Sequence, residues 1–546
     1  MSLTLYRNGS VYSSADPLAT AMLVDGGTVA WVGGEHAATS LQDSRMQVID
    51  LQGALITPGF VDSHVHVTET GLALESLDLT SVTSVTELLA RVSAAAQGPG
   101  ALLGFGWDET HWPQPRPPKA TELDRASGGR EVYLARIDVH SGVVSSALAE
   151  RLGLSAMDGW LGDGLVVRAA HLAARDAARQ LTPQRRAQLQ ELALQAAAKA
   201  GYVALAEMAI SGTDAMEDLA LLMSRSEAGT SPQILPYWAE LISDVEQGTE
   251  LLGRLSEAGI RPLGFAGDLN IDGSIGSRTA ALRADYSDQP GQSGTRYLNA
   301  EQIADHLLAC AQLGLQGGFH VIGDGGMDLA VEGLRRAAER SGAAAVRAAG
   351  HRLEHVEMAD AETISVLAEH AVTVSMQPAF DALWGGPDGL YERRLGIERA
   401  SGMNHLADMF AAGVPVCLGS DAPVTALDPW ASVKASLGHH QGAQRISARA
   451  AFIGHSRAGW RAAREPDPMM GQLVPGAPAS YALWQVDELM VQVADERVQS
   501  WSTDPRSRTP LLPALDTENS PYCLSTVHRG RSLYSETEFA PDLADA

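Results

Sequence analysis

The chain has 546 residues, with 40 basic against 66 acidic side chains and a net charge of −26. With no local basic cluster to offset it, that balance argues against nucleic acid or an anionic membrane surface as partner. Hydrophobic residues make up 45% and aromatics only 5%, which predicts a globular protein whose helices pack largely through Ala and Leu. Cys310, Cys417 and Cys523 are odd in number and far apart, so neither a disulfide framework nor a CxxC site is implied. The N-terminus lacks the apolar core of a signal peptide, and no stretch of about 18 apolar residues suggests a membrane span. A soluble, cytoplasmic protein is the simplest expectation.

The length suits about three average domains, but barrels routinely exceed the average. Residues 1–57 read as short strands, at Leu3–Tyr6, Ala21–Val24, Val29–Val32 and Gln47–Ile49, punctuated by glycines. A β unit this small cannot bury both faces by itself. From about 466 the texture returns, with strand-like Tyr481–Trp484 and Cys523–Val527. The two chain ends are therefore expected to form one discontinuous β domain, residues 1–57 with 466–546.

Between them, strands alternate with helices. Candidate strands are Ala54–Asp62, Val203–Met208, Gln233–Trp238, Gly264–Asp272, Gly318–Ile322, Arg352–Val356, Val372–Gln377 and Val414–Gly419. Helices are predicted between most of them, such as Pro183 to Ala200 and Ala300 to Leu313, each with Gly just past its end. Eight strands with crossover helices suggest a (β/α)8 barrel over residues 58–465, active at the strand C-terminal ends. An open doubly wound sheet is the alternative, but no Gly-rich nucleotide loop follows the first strand. Residues from about 68 to 200 are too many for one crossover and read as an insertion that caps the site.

Five side chains with ligand chemistry fall at predicted strand ends. His64 and His66 end the first strand, two residues apart and hence on one face. His320 lies on the fifth strand, His355 on the sixth, and Asp421 follows the eighth. Imidazole and carboxylate together suit zinc, iron or manganese. A metal there would lower the pKa of water and polarise a carbonyl, and Asp421 could take the water's proton. The competing reading makes one or two of these histidines ordinary core residues.

Pro58-Gly59-Phe60-Val61-Asp62-Ser63-His64-Val65-His66, His320 with Gly323-Asp324, Glu354-His355 and Gly419-Ser420-Asp421 resemble the amidohydrolase superfamily. Asp272-Gly273-Ser274-Ile275-Gly276-Ser277-Arg278, with Gln377-Pro378 and Ala422-Pro423-Val424, is similar to its amidohydrolase-3 branch, which includes N-substituted formamide deformylases. The resemblance implies a distorted (β/α)8 barrel with a split β-sandwich. It also implies ligation of one or two divalent ions, zinc foremost, by His64, His66, His320, His355 and Asp421, with Asp421 doubling as general base. Many relatives carry a carbamylated lysine four residues before the Asp-Gly-Ser motif, bridging two metals. Here Asp268 stands at that position and reaches less far. Asp268 or Glu207, at the end of the second strand, could ligate instead, or both merely line the site or pair with Arg278.

Arg278 could hold a substrate carboxylate or serve as a structural ion-pair partner. His140 and Trp107, in the insertion, are candidates for substrate contact or for local packing. The expected function is hydrolysis of a carbon–nitrogen bond, other than a peptide bond, in a small molecule. Alternatives are a deaminase or esterase using the same site, or a non-catalytic regulatory or binding protein on the same scaffold. The oligomeric state stays open, a homo-oligomer included.

Overall fold

The computed structural model describes residues 3–97, 100–178, 180–492, 501–502, 509–517, 519–536 and 539. Among these, eight parallel strands lie side by side in chain order: Phe60–Val65, Tyr202–Ile210, Gln233–Ala239, Gly264–Phe265, Gln316–Val321, Arg352–His355, Thr373–Met376 and Val416–Leu418. They are buried on both faces, which explains why the sequence shows apolar runs there rather than alternation. The sheet closes just past the eighth strand. There the Asp421 amide donates to the His64 carbonyl at 2.8 Å and the His66 amide to the Ala422 carbonyl at 2.9 Å. The fold is thus a TIM-like barrel, as expected. Among the described residues no helix is long and apolar enough to cross a membrane.

Two predicted strands need correction. Ala54–Asp62 is two strands, not one. Leu55–Pro58 runs antiparallel to Tyr481–Gln485 in the terminal β domain, whereas Phe60–Val65 pairs with the second barrel strand. Gly59 sits between them, and a Cβ there would lie 2.3 Å from a Val203 methyl, so only glycine lets the chain pass. Both halves are fully buried, so no break in polarity marks the switch. The fourth strand, predicted to reach Asp272, ends at Phe265. The backbone turns through Gly267 at φ 88°, and pairing resumes only as a bridge between Asn270 and His320.

The chain ends pair. Tyr481–Gln485 lies between Leu55–Pro58 and Tyr522–His528 in a five-stranded sheet. A four-stranded sheet holds Leu3–Arg7, Ala21–Asp25, Thr28–Gly33 and Met46–Asp50. Tyr6, Met22, Ile56, Leu483 and Val527 fill the core that the two sheets share, and the Tyr6 and Tyr481 hydroxyls bond at 2.8 Å.

Within the predicted insertion lies a further five-stranded sheet, ordered Leu165–Val167, Ser141–Val144, Val132–Arg136, Leu102–Trp107, Leu77–Asp78. The helices on either side of it, Val67–Glu75 and Pro183–Lys199, pack against each other. Thr182 caps the second of these, accepting the Arg185 amide at 3.2 Å. Asp138 ties the insertion to the barrel mouth, accepting hydroxyl bonds from Ser274 at 2.9 Å and Ser277 at 2.7 Å.

Candidate metal centre

His64 and His66 project from the end of the first strand with ring centroids 5.3 Å apart. His320 and His355 come from the fifth and sixth strands and stand 4.5 Å from each other, with His355 5.0 Å from His64. Glu354 points toward the barrel interior, so a regular strand would aim His355 outward. A left-handed backbone at His355, φ 70°, turns the ring to the mouth instead. Asp421 also adopts a positive φ, 57°. Such strain is stored where the surroundings fix it, commonly at functional sites.

Two carboxylates join the four rings. Asp268 Oδ1 lies 3.5 Å from His64 Nε2 and 3.7 Å from His320 Nδ1, while its Oδ2 lies 3.1 Å from His66 Nε2. Asp421 Oδ1 is 3.4 Å from His64 Nε2 and 3.6 Å from His66 Nε2. Ligand atoms of His64, Asp268 and His355 lie within 4.8 Å of one another, and so do those of His64, His66 and Asp421.

Residues behind the rings orient them. Glu354 Oε2 sits 2.9 Å from His64 Nδ1, which directs the Nε2 lone pair toward the centre. Gln377 Oε1 does the same for His355 through Nδ1 at 2.8 Å. The Gly273 carbonyl lies 3.4 Å from His320 Nε2. Arg352 holds Glu354 with two bonds, at 2.5 and 2.9 Å, and lies over the Tyr237 ring. Burial would raise the Glu354 carboxyl, but the Arg352 charge and His64 outweigh it and push it down to about 2. Asp62 clamps the seam of the barrel, accepting the His64 and Ser420 amides and the Ser420 hydroxyl. Asp272 accepts the amides of Ala281, Ile322 and Gly323. None of these supporting roles is assigned from sequence. The Arg352–Glu354 spacing, two residues apart on one strand face, is the signal that could have shown one of them.

The centre is anionic and wants a cation. Burial pulls the His64 and His66 rings down, but Asp421 and Asp268 outweigh it, with Glu354 adding to the effect on His64, and push both up to about 10. His64 Nε2 and Asp268 Oδ1 are buried without a hydrogen-bond partner, an arrangement that costs energy unless a ligand completes it. Histidine and carboxylate donors at this spacing fit a divalent ion such as zinc, iron or manganese.

A cavity of about 640 Å3 opens over the centre. His66, Asp268, His320, His355 and Asp421 line it from the barrel, and the insertion contributes residues such as Phe105, Tyr133 and His140. His140 stands 5.2 Å from His320, and burial, with the His320 charge, pushes it down to about 4. Three other candidates lie elsewhere. Trp107 is buried in the insertion's core and donates to the Leu134 carbonyl. Arg278 pairs with Asp288 at 2.6 and 3.1 Å. Glu207 accepts the Val67 amide at 2.7 Å, at the start of the helix after the first strand, and is outside both ligand groups.

Residues 47–534 match the profile of the Amidohydrolase family. The protein LONG AFTER FAR-RED 3 of Arabidopsis thaliana is 25% identical over 519 residues, covering 88% of this chain and 86% of that one. The N-substituted formamide deformylase of Arthrobacter pascens is 22% identical over 458 residues, 78% and 81% of the two chains. An uncharacterized metal-dependent hydrolase from Pyrococcus furiosus superposes with a TM-score of 0.68 at 25% identity, covering 89% of this chain and 99% of that one. The barrel, the two terminal sheets and these matches agree: the chain belongs to the Amidohydrolase family, in its amidohydrolase-3 branch.

Proposed function

We propose that the protein is a metal-dependent hydrolase acting on a carbon–nitrogen bond, other than a peptide bond, of a small molecule. The observation that carries this reading is the pair of buried ligand atoms that make no hydrogen bond, His64 Nε2 and Asp268 Oδ1, amid four histidines and two aspartates. His64, His66, His320, His355, Asp268 and Asp421 would hold one or two divalent ions. When bound, such an ion supplies Lewis acidity, which acidifies water and polarises a carbonyl.

The chain's own residues do the rest. Asp421 lines the cavity beside the two first-strand histidines. Its carboxylate accepts a proton from the attacking water and returns it to the departing amine nitrogen. Asp268, placed between the His64–His66 pair and His320, takes the part of the lysine that many relatives use. His140, kept neutral by burial, faces the cavity next to His320 and holds the substrate.

The test joins metal analysis to turnover. The protein is expected to carry stoichiometric metal and to hydrolyse some member of a panel of formamides, linear and cyclic amides and esters. Asp421→Asn should lower kcat by about 100- to 10,000-fold. Full activity in that variant, or a metal-replete protein inert across the panel, overturns the reading. A second reading, a non-catalytic protein on this scaffold, draws on aspartate at 268 in place of lysine. Absence of stoichiometric metal under every purification would favour it.

A further inference from the structure

The insertion's helix Arg168–Ala178 presents Arg168, His171, Leu172, Arg175 and Ala178 to the cavity, at the three- and four-residue intervals of one helix face. Two of its three polar members already have partners. Arg168 donates to both oxygens of Asp158, at 2.8 Å each. His171 Nε2 bonds the Tyr133 hydroxyl at 3.0 Å.

Arg175 differs. Its Nε is buried with no hydrogen-bond partner, and no ion pair among the described residues includes it. The cavity it lines includes apolar side chains, among them Leu103, Phe105, Leu172 and Ile210, beside polar ones such as Tyr133, Glu69 and Asp158. A guanidinium Nε sealed from water without an acceptor is costly, and an anion in the cavity would supply one. Its planar fork matches carboxylate and phosphate bidentately, and in a cavity with apolar lining the single charge of a carboxylate costs less to desolvate than a phosphate's two. The candidate metal ligands line the same cavity.

We infer that Arg175 receives a carboxylate of the substrate, so that the molecule hydrolysed is an amide with an apolar body and a free carboxylate. The inference rests on the proposed function for its reaction, but not for its binding step.

Calorimetric titration of the metal-replete protein with 4-phenylbutyrate and with neutral 4-phenylbutanamide separates the two. The carboxylate should bind the wild type about 10-fold more tightly than the amide. Arg175→Gln should lose about that factor for the carboxylate and leave the amide unchanged, and Arg175→Lys should regain part of it. Equal carboxylate binding by wild type and Arg175→Gln, parallel loss of both ligands, or no binding of either overturns the inference. Binding requires no turnover. A protein that shows the Arg175-dependent preference but hydrolyses nothing refutes the reaction alone, whereas an active enzyme indifferent to Arg175 refutes this inference alone.

Discussion

Glu354 touches no cavity wall, yet it governs His64. It receives two bonds from Arg352 and gives its other interaction to the His64 ring. Glu354→Gln removes the negative charge and leaves the Arg352 guanidinium buried without its counter-charge. Metal affinity, measured by competition against a chelating dye, should fall by about 10- to 100-fold, the usual range for a partner behind a ligating histidine. Unchanged affinity would show that the His64 ring is oriented by packing alone. At this scale the ligand candidates were legible and their supports were not. His64, His66, His320, His355 and Asp421 stand at the ends of recognisable apolar runs, so their convergence follows once the barrel is assumed. Whether Arg278 meets a substrate or Asp288, or whether Trp107 faces the cavity or the insertion's own core, depends on partners far away in the chain or across a separate sheet. No local pattern encodes that.

Asp268 sits where the fourth strand stops being a strand. Gly264–Phe265 pairs on both sides, then the chain turns at Gly267 before bridging His320 from Asn270. The strand's period of two therefore does not aim Asp268; the glycine does. A Cβ at 267 would lie 2.9 Å from the Met208 sulfur, and the φ of 88° is one that L residues avoid. Gly267→Ala should shift the turn, move Asp268 off the histidines and reduce bound metal per chain, read by elemental analysis of folded protein. Wild-type metal content in that variant would detach Asp268 from the centre. The eight strands themselves were readable because each is a short apolar run bounded by turn residues. The switch at Gly59 and the break after Phe265 were not, since burial looks alike in a strand whichever sheet it joins.

Over the whole molecule, the insertion and the ligand groups meet at the barrel mouth, while the terminal sheets join the barrel at the opposite, N-terminal ends of its strands. The terminal sheets lock the two chain ends together, the insertion covers the cavity, and the ligand groups draw on four barrel strands or the loops that follow them. A bound ion would thus cross-brace the barrel, and its removal should be felt globally. Chelation is expected to lower the thermal midpoint followed by differential scanning fluorimetry, with recovery on adding Zn2+. At 100 times its dissociation constant a ligand stabilises by about 2.7 kcal/mol. A midpoint indifferent to chelator, in a protein shown to have lost its metal, would mean that the centre is preformed and bears no load. The seam of the barrel has a consequence for synthesis. The bonds that close it join Asp62 to Ser420, 358 residues apart in the chain, and place Asp421 against His64. A ribosome must therefore pass Asp421 before the complete ligand set exists. No nascent fragment that ends before Asp421 can hold the complete ligand set or release a premature activity.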